Sequence, residues 1–374
     1  VSETIQSDIS YWADESVRIL RQLEGCAFAG IPTFFPSVDR HIRGLVRGAT
    51  TFLGGAPGMG KTAFITNIIL RNVGLYGTDL KTLDPARQRI LLVSAEMGEI
   101  LWIQRCISTI IGIPQGMLAL GAQADRLRWN SDKREMVRAG DANIFKEIDG
   151  VVAWLKQTPI ELMGSGMMNT FSIEQKLHEL TVDRRLDIPL TVIDHAGALS
   201  DVGESEGAVS KPDFVCQRLD YLARTYNTHV LAIWPLTKAG WQTNKIPSFD
   251  SLRGSVMPSY QAANAIMLHS PRLSELLMAE RTFIAERIPV QVSIQKNRFF
   301  GSFEVVEEVF VPCIGRYEFF EEEDWLEKYR GYTCPIRAAA SAIKGVREAR
   351  GSNREEAINI GEQAARLFRN EGGG

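Results

Sequence analysis

Apolar positions along this chain follow two alternating periods. Thr50-Thr51-Phe52-Leu53 is a short β-prone run, and Phe64, Ile65, Ile68, Ile69 and Val73 follow it at helical spacing. Arg89 to Ser94 reads as a buried strand, residues 100–112 as a helix, residues 172–185 as another, and Leu190 to Ile193 as the next strand. A loop rich in Gly, Ser and acid follows over residues 200–212, then a helix over 213–226 and a strand from Val230 to Trp234. Ala265 to Leu268, Pro289 to Gln295 and Val305 to Val311 are further β-prone runs. This alternation predicts an α/β fold with a mostly parallel central sheet flanked by helices. Residues 113–160 break the rhythm and read as a charged, solvated helical insertion.

Two amphipathic stripes lie outside that frame. Ile9, Trp12, Ala13, Val17, Leu20 and Leu23 share one face over residues 8–24, and Ala357, Ile360, Ala364, Leu367 and Phe368 share another behind a capping-box-like start at Asn353 and Glu356. The expected organisation is an N-terminal helical arm over 1–29, a main domain over 30–330 and a helical C-terminal tail over 331–374.

Chemistry enters between the first strand and the first long helix. Gly55-Ala56-Pro57-Gly58-Met59-Gly60-Lys61-Thr62, running into Ala63, fits the phosphate-binding loop at every fixed position, in the strand, loop and helix order it requires. The glycines let backbone N–H groups close around phosphate oxygens, and the helix N-terminus adds its positive end. Lys61 would reach the β and γ phosphates, and the Thr62 hydroxyl would ligate Mg²⁺. The ligands expected are ATP and Mg²⁺. Asp194 closes an apolar strand where its carboxylate would project from the carboxyl edge of the sheet toward the loop and the metal. Glu96 follows another strand at the same edge, a candidate to orient or deprotonate water.

Composition narrows the class only slightly. The 374 residues carry a formal net charge of −3, so any nucleic-acid contact depends on local placement of Lys and Arg. The 5 cysteines are scattered without a CxxC pair, which argues for reduced thiols and against a zinc site. No apolar run approaches a membrane span, and the expectation is a cytoplasmic protein without membrane contact.

The run Gly30-Ile31-Pro32-Thr33, Ser37-Val38-Asp39 and Gly44-Leu45, then Gly58 to Phe64, then Ser94-Ala95-Glu96-Met97, then Val192-Ile193-Asp194, resembles the RecA-like motor domain of DnaB-type replicative helicases in order and spacing. Ser251-Leu252-Arg253-Gly254-Ser255 is similar to that family's DNA-facing loop, and Lys296-Asn297-Arg298 to its Lys-x-Arg finger. The resemblance covers about residues 8–320. It implies a homohexameric ring with ATP between subunits, Glu96 as catalytic base, Asp194 on Mg²⁺, and Lys296 and Arg298 reaching the γ-phosphate of the adjacent subunit. It also implies 5′ to 3′ movement on single-stranded DNA, and docking of the arm helix on a neighbour. Three positions depart from the family: Pro235 stands where it carries Gln, His195 where it carries an aromatic, and Gly254-Ser255-Val256 lacks its acid and final glycine. Only residues 1–29 precede Gly30, so the primase-binding domain of cellular members is expected to be absent, as in a phage- or plasmid-type protein.

For DNA, the candidates are Lys238, Gly240 and Lys245 in a loop of cations, amides and one aromatic, and Arg253, Gly254 and Val256 in the second loop. The function expected is an ATP-dependent helicase. The alternative is a RecA-like ATPase switch or assembly factor that binds partner proteins without unwinding. No residue marks a loader or primase contact.

Overall fold

The computed structural model describes residues 28–74, 82–118, 127–138, 144–164, 166–201, 210–237, 245–252, 260–279, 284–299, 301 and 303–318, with five isolated positions before residue 28. Of the N-terminal stripe, Ile9, Ala13 and Val17 are helical and exposed. Trp12, Leu20 and Leu23, like the C-terminal stripe, lie outside the described residues.

In chain order the elements are α1 (Pro36–Ile42), β1 (Thr50–Gly55), α2 (Lys61–Val73), β2 (Gln88–Ser94), α3 (Glu99–Ile111), α4 (Gln115–Leu118), β3 (Leu127–Asn130), β4 (Glu135–Arg138), α5 (Ile144–Leu155) and β5 (Ile160–Met163). There follow α6 (Thr170–His178), β6 (Asp187–Asp194), α7 (Lys211–Thr225), β7 (His229–Ile233), β8 (Asn264–His269), α8 (Pro271–Met278), β9 (Ile288–Asn297), β10 (Glu304–Val311) and β11 (Arg316–Glu318). Nine strands form one sheet in the order β11-β10-β9-β8-β1-β7-β6-β2-β5. From β8 to β5 every pairing is parallel, and from β8 to β11 every pairing is antiparallel.

The continuous apolar runs are explained by cover on both faces. Along β2, Ile90 and Leu92 join one core with α2 and α3, whereas Leu91 and Val93 join the other with α6 and α7. Likewise Leu231 and Ile233 of β7 face the first core, and Val230 and Ala232 the second. Each such fully buried Val, Leu or Ile side chain contributes about 1.5–3 kcal/mol of apolar burial.

The segment before β1 is a clasp. Ile31 bridges Leu45 antiparallel, and a Cβ on Gly30 would lie 2.3 Å from the Leu45 carbonyl carbon, so only glycine fits there. The Asp39 carboxylate accepts the amides of Thr33 and Phe34 at 2.9 and 3.0 Å. Phe35 stacks on Phe64 of α2 with ring centroids 4.3 Å apart, and the Tyr317 ring of β11 meets both edge-on. These contacts fasten the phosphate-loop helix to the clasp and to β11.

Three sequence expectations need correction. Residues 113–160 are not simply a solvated helical insertion: they contain the β3–β4 hairpin as well as α4 and α5, and Trp129, Ile144 and Val151 are buried. Trp129 packs on Val311 and Ile314 and donates its indole N–H to Glu318, an anchor that the charged flanking residues conceal. Strand β5, missed in the sequence, is the half-buried edge of the main sheet and lacks the buried-strand signature. The helix expected over 172–185 is α-helical to His178 and then widens into a π-turn over Glu179–Asp183.

Candidate active site

Parallel strands bring their carboxyl ends to one edge, and a cleft of about 830 Å³ opens there above β1, β6 and β7. Its floor is the phosphate-loop segment. Gly58 and Gly60 have φ of +81° and +79°, and a Cβ would fall 2.5 Å from Leu277 at the first and 2.9 Å from Phe310 at the second. Gly60 therefore requires glycine on both grounds, and Gly58 chiefly through its backbone conformation, since the Leu277 methyl is the end of a flexible side chain. Met59 is buried in the core between the two cleft-lining glycines, so its side chain pins the loop. Ala63 is buried in the first turn of α2. Because α2 starts at Lys61, the unpaired N–H groups of that turn point at the loop mouth.

The Lys61 ammonium donates to the Gly55 and Ala56 carbonyls at 2.8 and 3.0 Å, which folds the side chain back over the loop. Burial lowers its pKa to about 8, against the opposing pull of the Asp194 and Glu96 charges. Asp194 is the last residue of β6 and is 4% exposed. Its pKa is raised, first by burial; the hydrogen bond from the Thr62 hydroxyl opposes this, and the neighbouring Glu96 charge adds to it. The Asp194 backbone carbonyl accepts the amides of Ala95 and Glu96 at 2.7 and 3.2 Å, so the bend after β2 is fastened to the end of β6. The Glu96 side chain is 64% exposed and lines the cleft.

Thus Lys61, Thr62, Glu96 and Asp194, predicted from separate stretches, come together at one cleft. Thr62 and Asp194 offer a hydroxyl and a carboxylate in contact, an oxygen donor pair that fits Mg²⁺ beside phosphate oxygens. Arg105 of α3 and His195 also line the cleft and were not marked as site residues in the sequence reading. An arginine on an amphipathic helix looks like solvated surface, and only the packing of Trp102 and Cys106 beside it turns Arg105 inward. Pro235 lines the same cleft.

Lys296 and Arg298 lie elsewhere. Antiparallel β9 runs back along β8, so Lys296 pairs with Ala265 and the Arg298 amide bonds the Ala263 carbonyl, at the amino edge of the sheet. The strand length between the two edges is roughly 15 Å at the usual rise per residue. The Lys296 ammonium meets the Tyr260 carbonyl at 3.3 Å, and the Arg298 guanidinium donates to the same oxygen. Partial burial, and then the Arg298 charge, lower the pKa of Lys296. Lys245 is exposed. Lys238, Gly240, Arg253, Gly254 and Val256 lie outside the described residues, between Thr237 and Lys245 or between Leu252 and Tyr260. Among the described residues no helix is long and apolar enough to cross a membrane.

Comparison with known proteins extends this picture. The profile of the DnaB-like helicase C terminal domain matches residues 30–319. A replicative DNA helicase DnaB of Nostoc sp. is 23% identical over 258 residues, covering 68% of this chain and 26% of that protein. A probable replicative DNA helicase of Guillardia theta is 23% identical over 274 residues, 72% of this chain and 41% of that protein. The chain therefore spans less than half the length of these curated relatives. A solved ATPase domain shares the fold with a TM-score of 0.65 at 18% identity, covering 84% of this chain and all of that one. A DnaB-like replicative helicase, solved in a study of its interactions with primase, gives 0.63 at 17% identity, covering 86% of this chain and 69% of that one. With a RecA-like sheet, a phosphate loop at its carboxyl edge and a family profile matched over most of its length, this chain belongs to the DnaB-like helicase C-terminal domain family.

Proposed function

We propose that the chain is the ATP-hydrolysing motor of a DNA helicase, working on single-stranded DNA as a homohexameric ring. One observation carries the reading: the groups suited to binding and hydrolysing ATP sit at one edge of the sheet, and the finger pair Lys296 and Arg298 at the other. A finger that cannot reach its own cleft is suited to a neighbour's, and a head-to-tail arrangement of this kind closes into a ring where the rotation between neighbours permits and otherwise runs on as a filament. Membership of the family and the likeness to replicative helicases support the same reading.

In this reading Lys61 leaves the Gly55 and Ala56 carbonyls and meets the β and γ phosphates, while the loop amides enclose them. Thr62 and Asp194 hold Mg²⁺, which when bound neutralises charge on the phosphate oxygens. Glu96 accepts the proton of the attacking water. Lys296 and Arg298 from the adjacent subunit stabilise the charge that builds on the transferring phosphoryl group. The N-terminal arm (1–29) docks on a neighbour, residues 30–330 form the motor, and 331–374 are an appended tail. Lys238, Gly240, Lys245, Arg253, Gly254 and Val256 line the DNA path.

Pro235 favours a second reading, an ATPase switch that binds partner proteins. It lines the cleft just after β7 with a ring that cannot hydrogen-bond a γ-phosphate, where an amide would couple nucleotide to the loop beyond. A forked-duplex assay separates the two. The motor requires ATP-dependent strand separation that is lost in Lys61→Ala and in Arg253→Ala. The switch requires ATPase that ignores added DNA and no strand separation.

A further inference from the structure

His195 is the first residue beyond β6, and its imidazole fits between two parts of the cleft wall. Its Nε2 lies 3.4 Å from a Glu96 carboxylate oxygen. Its Nδ1 is buried and has no hydrogen-bond partner among the described residues. The Nδ1 side abuts Gly197, where an added Cβ would fall 3.2 Å from Nδ1 and 2.8 Å from the Pro235 ring. Gly197 and Pro235 thus close one side of the ring, and neither offers a side-chain partner there.

This environment selects a tautomer. A proton on Nδ1 would bury an unpaired donor, which costs about 1–3 kcal/mol, and would turn a bare lone pair toward a carboxylate oxygen. A proton on Nε2 leaves only an unused acceptor inside and aims an N–H at Glu96. The 3.4 Å separation is long for a hydrogen bond, as catalytic hydrogen bonds often are before substrate binds. Glu96 needs such a guide. Its backbone is fastened to Asp194, but its side chain is largely exposed on a bend between β2 and α3. An unrestrained Glu there samples rotamers that face away from the cleft.

The geometry points to His195 as a positioning residue that holds the Glu96 carboxylate over the cleft by donation from Nε2. This inference rests on the proposed ATPase reading and assigns a role to a residue that the reading does not need. It predicts an effect on turnover with little effect on nucleotide binding, because His195 acts through Glu96 and not on the phosphates.

The test is steady-state ATPase of the full chain, with nucleotide affinity measured separately using a fluorescent ATP analogue. His195→Phe keeps a ring but no donor, and is expected to lower kcat about ten- to a hundredfold, the range for a misoriented catalytic group, while KM and analogue affinity stay within about twofold. His195→Gln restores an N–H at similar reach and is expected to recover most of the rate. In a Glu96→Gln background, His195→Phe is expected to have no further effect, since the group it orients is already disabled. His195→Phe or His195→Ala at the parent rate overturns the inference. So does the same fold-loss in the presence and absence of the Glu96 carboxylate, which would mark a merely structural role. Absence of Lys61-dependent turnover in the parent chain would instead sink the ATPase reading, and this inference with it.

Discussion

The two edges of the central sheet are built from opposite strategies. At the carboxyl edge, six parallel strands deliver a lysine, a hydroxyl and two carboxylates to one cleft, and Lys61 and Asp194 are already engaged by their own chain. At the amino edge, Lys296 and Arg298 lie at the end of β9 in the antiparallel flank, where both side chains meet the Tyr260 carbonyl and Arg298 is exposed. The contrast teaches that one sheet can gather internally engaged groups in a cleft at one edge and leave an exposed arginine at the other. Antiparallel return of β9 along β8 is the physical cause, since it carries Lys296 and Arg298 back to the opposite edge of the sheet.

The largest expected effect comes from the inner half. Lys61→Ala removes the main point charge of the loop, and ATP turnover is expected to fall to background together with nucleotide binding. Unchanged turnover would break the assignment of the cleft. Arg298→Ala should leave nucleotide affinity of each subunit nearly intact but lower turnover about a thousandfold, the scale of an arginine supplied across an interface. Equal loss of affinity and turnover would place Arg298 in the ground-state site and erase the contrast between the edges.

A smaller effect separates the halves by pH. The Lys61 pKa is about 8 without nucleotide, and bound phosphates favour the ammonium. Affinity should be nearly flat below pH 8 and fall above it, by up to about tenfold per pH unit, because binding then takes up a proton. Titration calorimetry in buffers of different ionisation enthalpy would register that uptake, and its absence above pH 8 would contradict the assignment.

The smallest effect lies in the flank. Glu308 of β10 is buried, accepts a hydrogen bond from Ser37, and has its pKa raised to about 7 chiefly by burial; the Ser37 bond and the Arg71 charge oppose this, and Asp39 adds to it. A carboxyl whose folded pKa lies above its unfolded one stabilises fully below the unfolded value of 4.5, and that contribution is lost as pH rises through about 7. Denaturation midpoints of the parent should therefore decline over that window by an equivalent of about 3 kcal/mol, and Glu308→Gln should flatten the decline. An identical slope in both proteins would remove Glu308 from the stability of the flank.

Much of this was legible in the residues. The phosphate loop, Glu96 and Asp194 could be read because each follows a continuous apolar run, and in a parallel sheet the residue after such a run lies at the functional edge. His195 and Arg105 could not, because the ring of His195 is closed in by Pro235, far along the chain, and Arg105 sits on an amphipathic helix whose packing sets which side meets the cleft. The position of Lys296 and Arg298 on the far edge needed the β8–β9 register, which no local pattern encodes. Strand β5 and the β3–β4 hairpin escaped because runs of 4 residues with half-buried pleats carry little periodicity.

The most direct test of the divided site is subunit mixing. Lys61→Ala chains and Arg298→Ala chains are each expected to be inactive, but a Lys61→Ala chain can donate its intact finger to the intact cleft of an Arg298→Ala neighbour. Mixing the two after dissociation and reassembly, and measuring ATP turnover against the mixing ratio, should recover activity that peaks near equal proportions. Activity that stays at the level of the inactive parents at every ratio, in rings confirmed by mass to contain both chains, would contradict a finger acting across the subunit boundary.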